Sequence, residues 1–388
     1  MAADVMYPLL SPEHTAFRES VTSFVQRQIV PLTRKIDFDD VISAADRDLM
    51  WSTLRGHGII DEVPETEDGS IDWIALGLLL EGLATADASV ALLWNAEELM
   101  RSLIYRVMSE EQRHEHARLF TRDAHWAGGF SEPNAGSDTT NMTTTARRDG
   151  DGWIINGTKL WITAADKSNV MVIACRVEGE STGLFVIDRR LAPYQATPIK
   201  MLGMRGPGHC EVVLDRLRVP GSARVDTDRA GRSKLSLMLR LFSFNPAALG
   251  VGLAQHAFDL ALNYSKQRVQ FGQPIAAFQL VQQMLATMAT EITVGRLLLY
   301  RYLTLLQTGG TNMDVNILGS MTKLYCTEMA QRVTSLGVQI HGAMGLAMES
   351  QAQRLFRDAR MFTIAGGTSQ IQTLLIGREL TGISALRR

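Results

Sequence analysis

The chain has 388 residues, 46% of them apolar, with 39 basic side chains against 41 acidic ones and a net charge of −2. At about 150 residues per domain that length makes two or three domains and supports a large core. A near-zero charge without a basic stripe excludes nucleic-acid binders as a class.

The amino terminus has no basic segment followed by an apolar core, so no secretory signal is read and a cytoplasmic location is expected. From Ser11 to about Phe120 the pattern is helical. "SPEHTAFRESVTSFVQRQIV" opens with a serine cap and a proline at the first helical position, and Phe17, Val21, Phe24 and Val25 recur at helical spacing. "SIDWIALGLLLEGLATAD" and "SVALLWNAEELMRSLIYRVM" are too apolar all round for surface helices. "HEH" at residues 114–116 lacks the i, i+4 spacing of a helical metal pair and reads as solvated helix surface. Cys175, Cys210 and Cys326 are far apart and fit neither a disulfide framework nor a zinc knuckle. No metal site is expected.

Between about Ala127 and Val225 turn signals crowd together, separated by the β-like runs "WIING", "NVMVIACRV", "GLFVID" and "CEVVLDRLRVP". This predicts a compact antiparallel β domain. From about Ser233 onward the pattern is helical again. The longest stretch without Asp, Glu, Lys or Arg, Leu241 to Phe258, holds Asn245, Pro246, Gln255 and His256. It therefore predicts a buried helix, since a membrane span needs about 20 mostly apolar residues. The expected organisation is α+β: a helical domain over 1–120, a β domain over 121–230 and a helical domain over 231–388.

Five segments carry a resemblance. "FSEPNAGSD", "NGTKLWITAA", "QRVQFGQPIAAFQLVQ", "QIHGAMG" and "FRDARMFTIAGGTSQIQ" resemble, in order and spacing, the signature blocks of the acyl-CoA dehydrogenase family. The resemblance implies an N-terminal helical domain, a central β domain and a C-terminal four-helix domain. It also implies FAD and a homotetramer built as a dimer of dimers. Phe130, Ser131, Ser137, Trp161 and Thr163 match positions around the flavin ring, where hydroxyls suit its N and O atoms and an indole can pack on its face. Arg268, Gln270 and Phe271, with Phe278 and Gln279, match the diphosphate contact, for which a guanidinium offers a planar fork of donors. Gln339, Gly342 and Ala343 match the segment a neighbouring subunit lends to the same cofactor; the family usually has glycine where Ala343 stands. Thr368 and Gln370 match the last flavin contacts, and a helix start at Thr368 suits an anionic partner on its own account.

The same resemblance exposes a gap. Dehydrogenation of an acyl thioester removes a weakly acidic α-proton, which needs a placed base. In most of the family that base is a glutamate at the position of Gly366, beside Gly367. In some members it lies on the first long C-terminal helix, at the position of Phe242, followed by an arginine where Ser243 stands. Both glutamate positions are empty here, and no catalytic residue can be assigned. Pro246 either kinks that helix and frees the Phe242 carbonyl, or starts a helix capped by Asn245.

Three readings follow. Base-independent flavin chemistry is one: a β-keto acid loses CO₂ unaided and leaves an enolate, and reduced flavin beside open space can meet O₂. A relocated base such as Glu132 or Glu349 is the second. The third is a silent subunit paired with an active homologue. The substrate is an acyl group as a CoA ester, a carrier-protein thioester or a free acid. Trp94 aligns near the floor of the acyl pocket, where it would favour a short chain, or else belongs to the helical core.

Overall fold

The computed structural model describes residues 10–121, 123–180, 182–225 and 231–385; the side chains of residues 231–243 and of Asn312 lie outside that description. The amino-terminal region is helical: α1 (Pro12–Phe24), α2 (Val30–Thr33), α3 (Ala44–Leu54), α4 (Trp73–Ala86), α5 (Ala88–Trp94), α6 (Met100–Val107) and α7 (Glu110–Glu115). Ser11 caps α1 by accepting from the His14 N–H at 3.2 Å, with Pro12 just inside. Single π-helical turns, Val25–Ile29 and Asn95–Leu99, join α1 to α2 and α5 to α6. His114 is exposed as expected, but His116 is buried and its Nε2 meets the Ser222 carbonyl at 3.0 Å, because this turn docks on the β domain.

The middle of the chain forms β1 (Trp126–Gly129), β2 (Thr145–Asp149), β3 (Gly152–Thr163), β4 (Val170–Val177), β5 (Thr182–Asp188), β6 (Gln195–Ile199) and β7 (His209–Val219). The sheet runs β1-β4-β2-β3-β7-β6, with β5 paired to β4. It is mostly antiparallel, but β4 pairs in parallel with both β1 and β2. The reason is connectivity: β1 enters from the helical region rather than through a hairpin, so nothing obliges it to run against its neighbour. Alternation along β3 and β7 sends Ile155, Ile162, Cys210, Val212 and Leu214 into one core. The three cysteines are free and buried.

The carboxy-terminal region comprises α8 (Gly231–Gln267), the two-stranded β8 (Val269–Gln270) and β9 (Gln273–Pro274), then α9 (Gln279–Thr308), α10 (Asn312–His341), α11 (Gln351–Phe362) and α12 (Ser369–Thr381). α8 passes straight through Pro246, so the alternative of a helix starting at Asn245 does not hold. Among the described residues no helix is long and apolar enough to cross a membrane.

Two joints hold the regions together. α4 lies against α8 so closely that a Cβ on Gly252 would sit 2.3 Å from the Glu81 carbonyl oxygen. There the buried Glu81 carboxylate accepts from Arg296 Nε at 2.7 Å and from the Tyr300 hydroxyl at 3.0 Å, while Arg296 Nη2 donates to Gln255 Oε1 at 2.9 Å. The second joint is the loop over residues 201–208, which touches all three regions. Gly206 accepts from the Ile42 N–H at 3.1 Å, Gly208 accepts from the Ala164 N–H at 2.9 Å, and Leu202 accepts from Arg357 Nη1 at 2.8 Å. A buried guanidinium deprived of its carboxylate is costly, so Glu81→Leu is expected to lose about 3–5 kcal/mol. Urea denaturation reads this as a lowered midpoint at unchanged slope.

Candidate active site

A buried ion pair organises the β side of the site. The Glu132 carboxylate has no solvent exposure and accepts from Thr143 N at 2.6 Å, Thr143 Oγ1 at 2.8 Å, Thr144 N at 3.0 Å and Lys159 Nζ at 2.7 Å. Burial by itself pushes Glu132 up; the Lys159 ammonium, Thr144 and Thr143 together outweigh it and hold the carboxyl down to about 2. Lys159 is pushed down by burial and held up by Glu132. The pair pins the Phe130–Ser131 turn to β3, where the Leu160 N–H donates to the Ser131 carbonyl at 3.0 Å.

Immediately after Lys159 the β3–β7 register slips, and Trp161 occupies the bulge. Its φ is 65°, and its side chain is 52% exposed. A left-handed non-glycine costs about 1–3 kcal/mol and persists only where its surroundings enforce it. A large indole held so, and left in solvent, is a face built to be covered. Thr163 lies two residues on, half-buried and on the same side of the strand. Phe130 is half-buried beside Met100, and both crowd the Cβ side of Gly128. The structure thus gathers Phe130, Ser131, Trp161 and Thr163. Ser137 is farther along the loop and exposed.

The final loop explains its paired glycines. Gly366 and Gly367 both have left-handed backbones, φ 67° and 90°. A Cβ on Gly367 would also lie 2.7 Å from Gln372 Nε2, which donates to the Gly366 carbonyl at 3.1 Å. Thr368 caps α12 as expected, accepting from the Ile371 N–H at 3.3 Å, and Gln370 is exposed in the first turn. Ser369 Oγ anchors the start of α12 by donating to Glu328 Oε1 at 2.6 Å. α11 couples this loop to the β side: Asp358 accepts from the Met204 N–H, and a Cβ on Gly203 would lie 2.3 Å from the Arg357 carbonyl oxygen. Phe242 and Ser243 lie within α8, with side chains outside the described residues.

The other candidates collect at the far end of α8. Arg268 and Gln270 are exposed at the β8–β9 hairpin, where Phe271 is 95% exposed with φ 50° and sits edge-on to Phe278 at 6.1 Å. Gln279 opens α9. The rings of Tyr264 and His341 stack at 4.4 Å, bringing the ends of α8 and α10 together. Gln339, Gly342 and Ala343 are therefore neighbours of this hairpin, and all three are exposed.

The suggested replacement bases fare differently. Glu132 is committed to four donors and sealed from solvent, so it has no lone pair to offer a substrate. Glu349 is exposed just before α11. Trp94 is fully buried with its Nε1 donating to the Ile60 carbonyl at 2.8 Å, which is the core reading of that residue. Sequence reasoning passed over His209, which the register places directly opposite Thr163. The apolar alternation Cys210, Val212, Leu214 was the available signal, since it puts His209 on the other face.

Two helical regions flank a mixed β domain that carries an uncovered indole and is tied through α11 to a helix start; this is the architecture of an oxidoreductase built around a planar aromatic cofactor. Family models agree: the acyl-CoA dehydrogenase N-terminal domain matches residues 11–121, the middle domain 127–217 and the C-terminal domain 239–381. The chain is 32% identical to the probable acyl-CoA dehydrogenase YngJ of Bacillus subtilis, over 96% of this chain and 98% of that one. It is likewise 32% identical to the cyclohex-1-ene-1-carbonyl-CoA dehydrogenase of Geobacter metallireducens, over 96% and 98%. Among solved structures, a glutaryl-CoA dehydrogenase from Mycobacterium smegmatis in complex with FADH₂ superposes with a TM-score of 0.86 at 25% identity, covering 100% of this chain and 98% of that one. The chain belongs to the acyl-CoA dehydrogenase family.

Glu132→Gln leaves Lys159 buried without its anion, at an expected cost of about 3–5 kcal/mol. The acid limb changes too. Because the folded carboxyl is held to about 2, below the ordinary 4.5, its contribution is complete above pH 4.5 and is lost as pH falls toward 2. Thermal melts across that window should fall steeply for the parent and flatten in the variant.

Proposed function

We propose that this chain is an FAD-dependent oxidoreductase acting at the α and β carbons of an acyl substrate that becomes reactive without a protein carboxylate. The observation that carries this reading is Gly366: the position that in most of the family bears the base has no side chain and a left-handed backbone. The candidate base on the β side, Glu132, is fully spoken for. A substrate suited to such a site brings its own leaving group. A carboxylate one carbon from the carbonyl departs as CO₂ and leaves its bonding electrons on the α carbon, the charge state a base would otherwise create.

FAD, when bound, takes up the two electrons that leave the substrate. The residues fit it. Trp161 offers an exposed aromatic face, Thr163 and Ser131 offer hydroxyls beside it, and the start of α12 at Thr368 turns the positive end of a helix dipole to an electron-rich edge. Arg268, Gln270 and Phe271 suit the diphosphate, but in another copy. From Phe242 to Arg268 is about 39 Å at 1.5 Å per residue, too far for both ends to serve one cofactor within one chain. Exposed Phe271, Gln339 and Gly342 support completion of the site by a partner subunit, hence a homo-oligomer. A thioester on CoA or on a carrier protein and a free acid all match the uncommitted substrate end.

Anaerobic titration separates this reading from ordinary dehydrogenation. Butyryl-CoA and octanoyl-CoA are expected to leave the flavin band intact, whereas an acyl substrate with a carboxylate on its α carbon is expected to bleach it; rapid bleaching by the saturated esters rules the proposal out. Restoring the carboxylate is the converse test. Gly366→Glu should lose about 1–2 kcal/mol for placing a side chain in a left-handed position, measurable as a lowered Tm, and should gain bleaching by the saturated esters.

A further inference from the structure

We propose that His209 is a positioning residue for Thr163, supplying the acceptor to which the Thr163 hydroxyl turns when the cofactor is reduced. The assignment rests on the flavin reading above and adds a residue to it.

The geometry comes from the sheet. Thr163 pairs with His209 and Ile162 with Cys210 across β3 and β7. Ile162, Cys210, Val212 and Leu214 fill the β core, so Thr163 and His209 share the opposite face, the one that carries Trp161. Side chains directly opposed in an antiparallel pair have Cβ atoms about 4.5–5.5 Å apart. A threonine hydroxyl and an imidazole nitrogen at that separation meet by side-chain rotation alone. His209 is only 4% exposed, and its Nδ1 has no hydrogen-bond partner. Burial pushes the ring down to about 4, so it is neutral and one ring nitrogen accepts. A buried acceptor left unmet costs about 1–3 kcal/mol, and such a residue calls for a partner that is present in only one state of the site.

The Thr163 hydroxyl provides that partner. It has one hydrogen to donate and lone pairs to accept with. Beside a bound flavin whose oxidised ring edge accepts, the hydroxyl would give its hydrogen to that edge and leave His209 unmet. Once that edge carries hydrogen instead, the hydroxyl would have to accept, and its own hydrogen would turn to His209. The pair is thus fully satisfied only in the reduced state, which favours reduction.

The readout is the flavin midpoint potential of the holoenzyme, titrated anaerobically against a reference dye. His209→Phe is expected to lower the equilibrium constant for reduction about tenfold, equivalent to about 30 mV for a two-electron couple. His209→Asn, which keeps a buried acceptor, should stay within about threefold of the parent. Thr163→Val should match His209→Phe, and the double variant should shift no further than either alone. An FAD-loaded His209→Phe with the parent potential overturns the proposal, as do additive shifts in the double variant. If His209→Phe does not fold, Thr163→Val at the parent potential overturns it equally. Parent protein that takes up no FAD overturns the flavin reading itself, and this assignment with it.

Discussion

The Lys159–Glu132 pair is the constraint on which the β side of the site depends. Two full charges removed from water are stable only if their remaining bonding capacity is met, and here Thr143 and Thr144 meet it for the carboxylate. What the pair secures is placement rather than energy. It fixes the turn after β1 against β3 at Lys159, two residues before Trp161 in the bulge. The clamp holds the Phe130–Ser131 turn, through the Leu160 N–H and the Ser131 carbonyl, beside the bulge that carries Trp161. The Glu132 carboxylate is therefore structural for a physical reason: its lone pairs are already used.

Position in the second half of the site is set by helices. α11 delivers Gly366–Thr368 and is itself bound to the loop over 201–208 through Arg357 and Asp358. That loop also receives the Ile42 and Ala164 N–H groups. A displacement of α11 is consequently felt by the helical amino-terminal region and by β3 together. Glu81 and Arg296 do the corresponding work at the other joint, between α4, α8 and α9.

Much of this was legible in the sequence, because local chemistry decides it. Ser11–Pro12 and Thr368 carry cap chemistry in themselves, and the β-like runs bounded by turn signals became β3, β4, β5 and β7. The illegible parts were set by contacts distant in sequence. The parallel pairing of β4 depends on where β1 enters, and the burial of His116 depends on Ser222. Pro246 read equally well as a helix start or a helix interior, because a proline at N1 and a tolerated interior proline look alike until the neighbouring helices are in place. Glu132 could be weighed as a base only until Lys159, Thr143 and Thr144 were seen to enclose it. His209 was missed because its meaning lies in a cross-strand register, which depends on the bulge at Trp161.

The emptied base position changes what selection of a substrate means at this site. Where a glutamate stands at the reacting carbon, the enzyme supplies the charge and can act on any acyl chain that fits. On the proposed reading, with Gly366 there instead, the charge arrives with the substrate, and recognition would pass from chain length to the group that leaves. A substrate carboxylate is also better tolerated where no carboxylate stands at the base position to repel it, since like charges a few ångströms apart in a low-dielectric cavity oppose each other strongly. On that reading, loss of the base and acceptance of an anionic substrate would be one physical change. The two left-handed glycines give that change a backbone that costs other residues dearly, which makes the vacancy a property of the loop's conformation as much as of its composition.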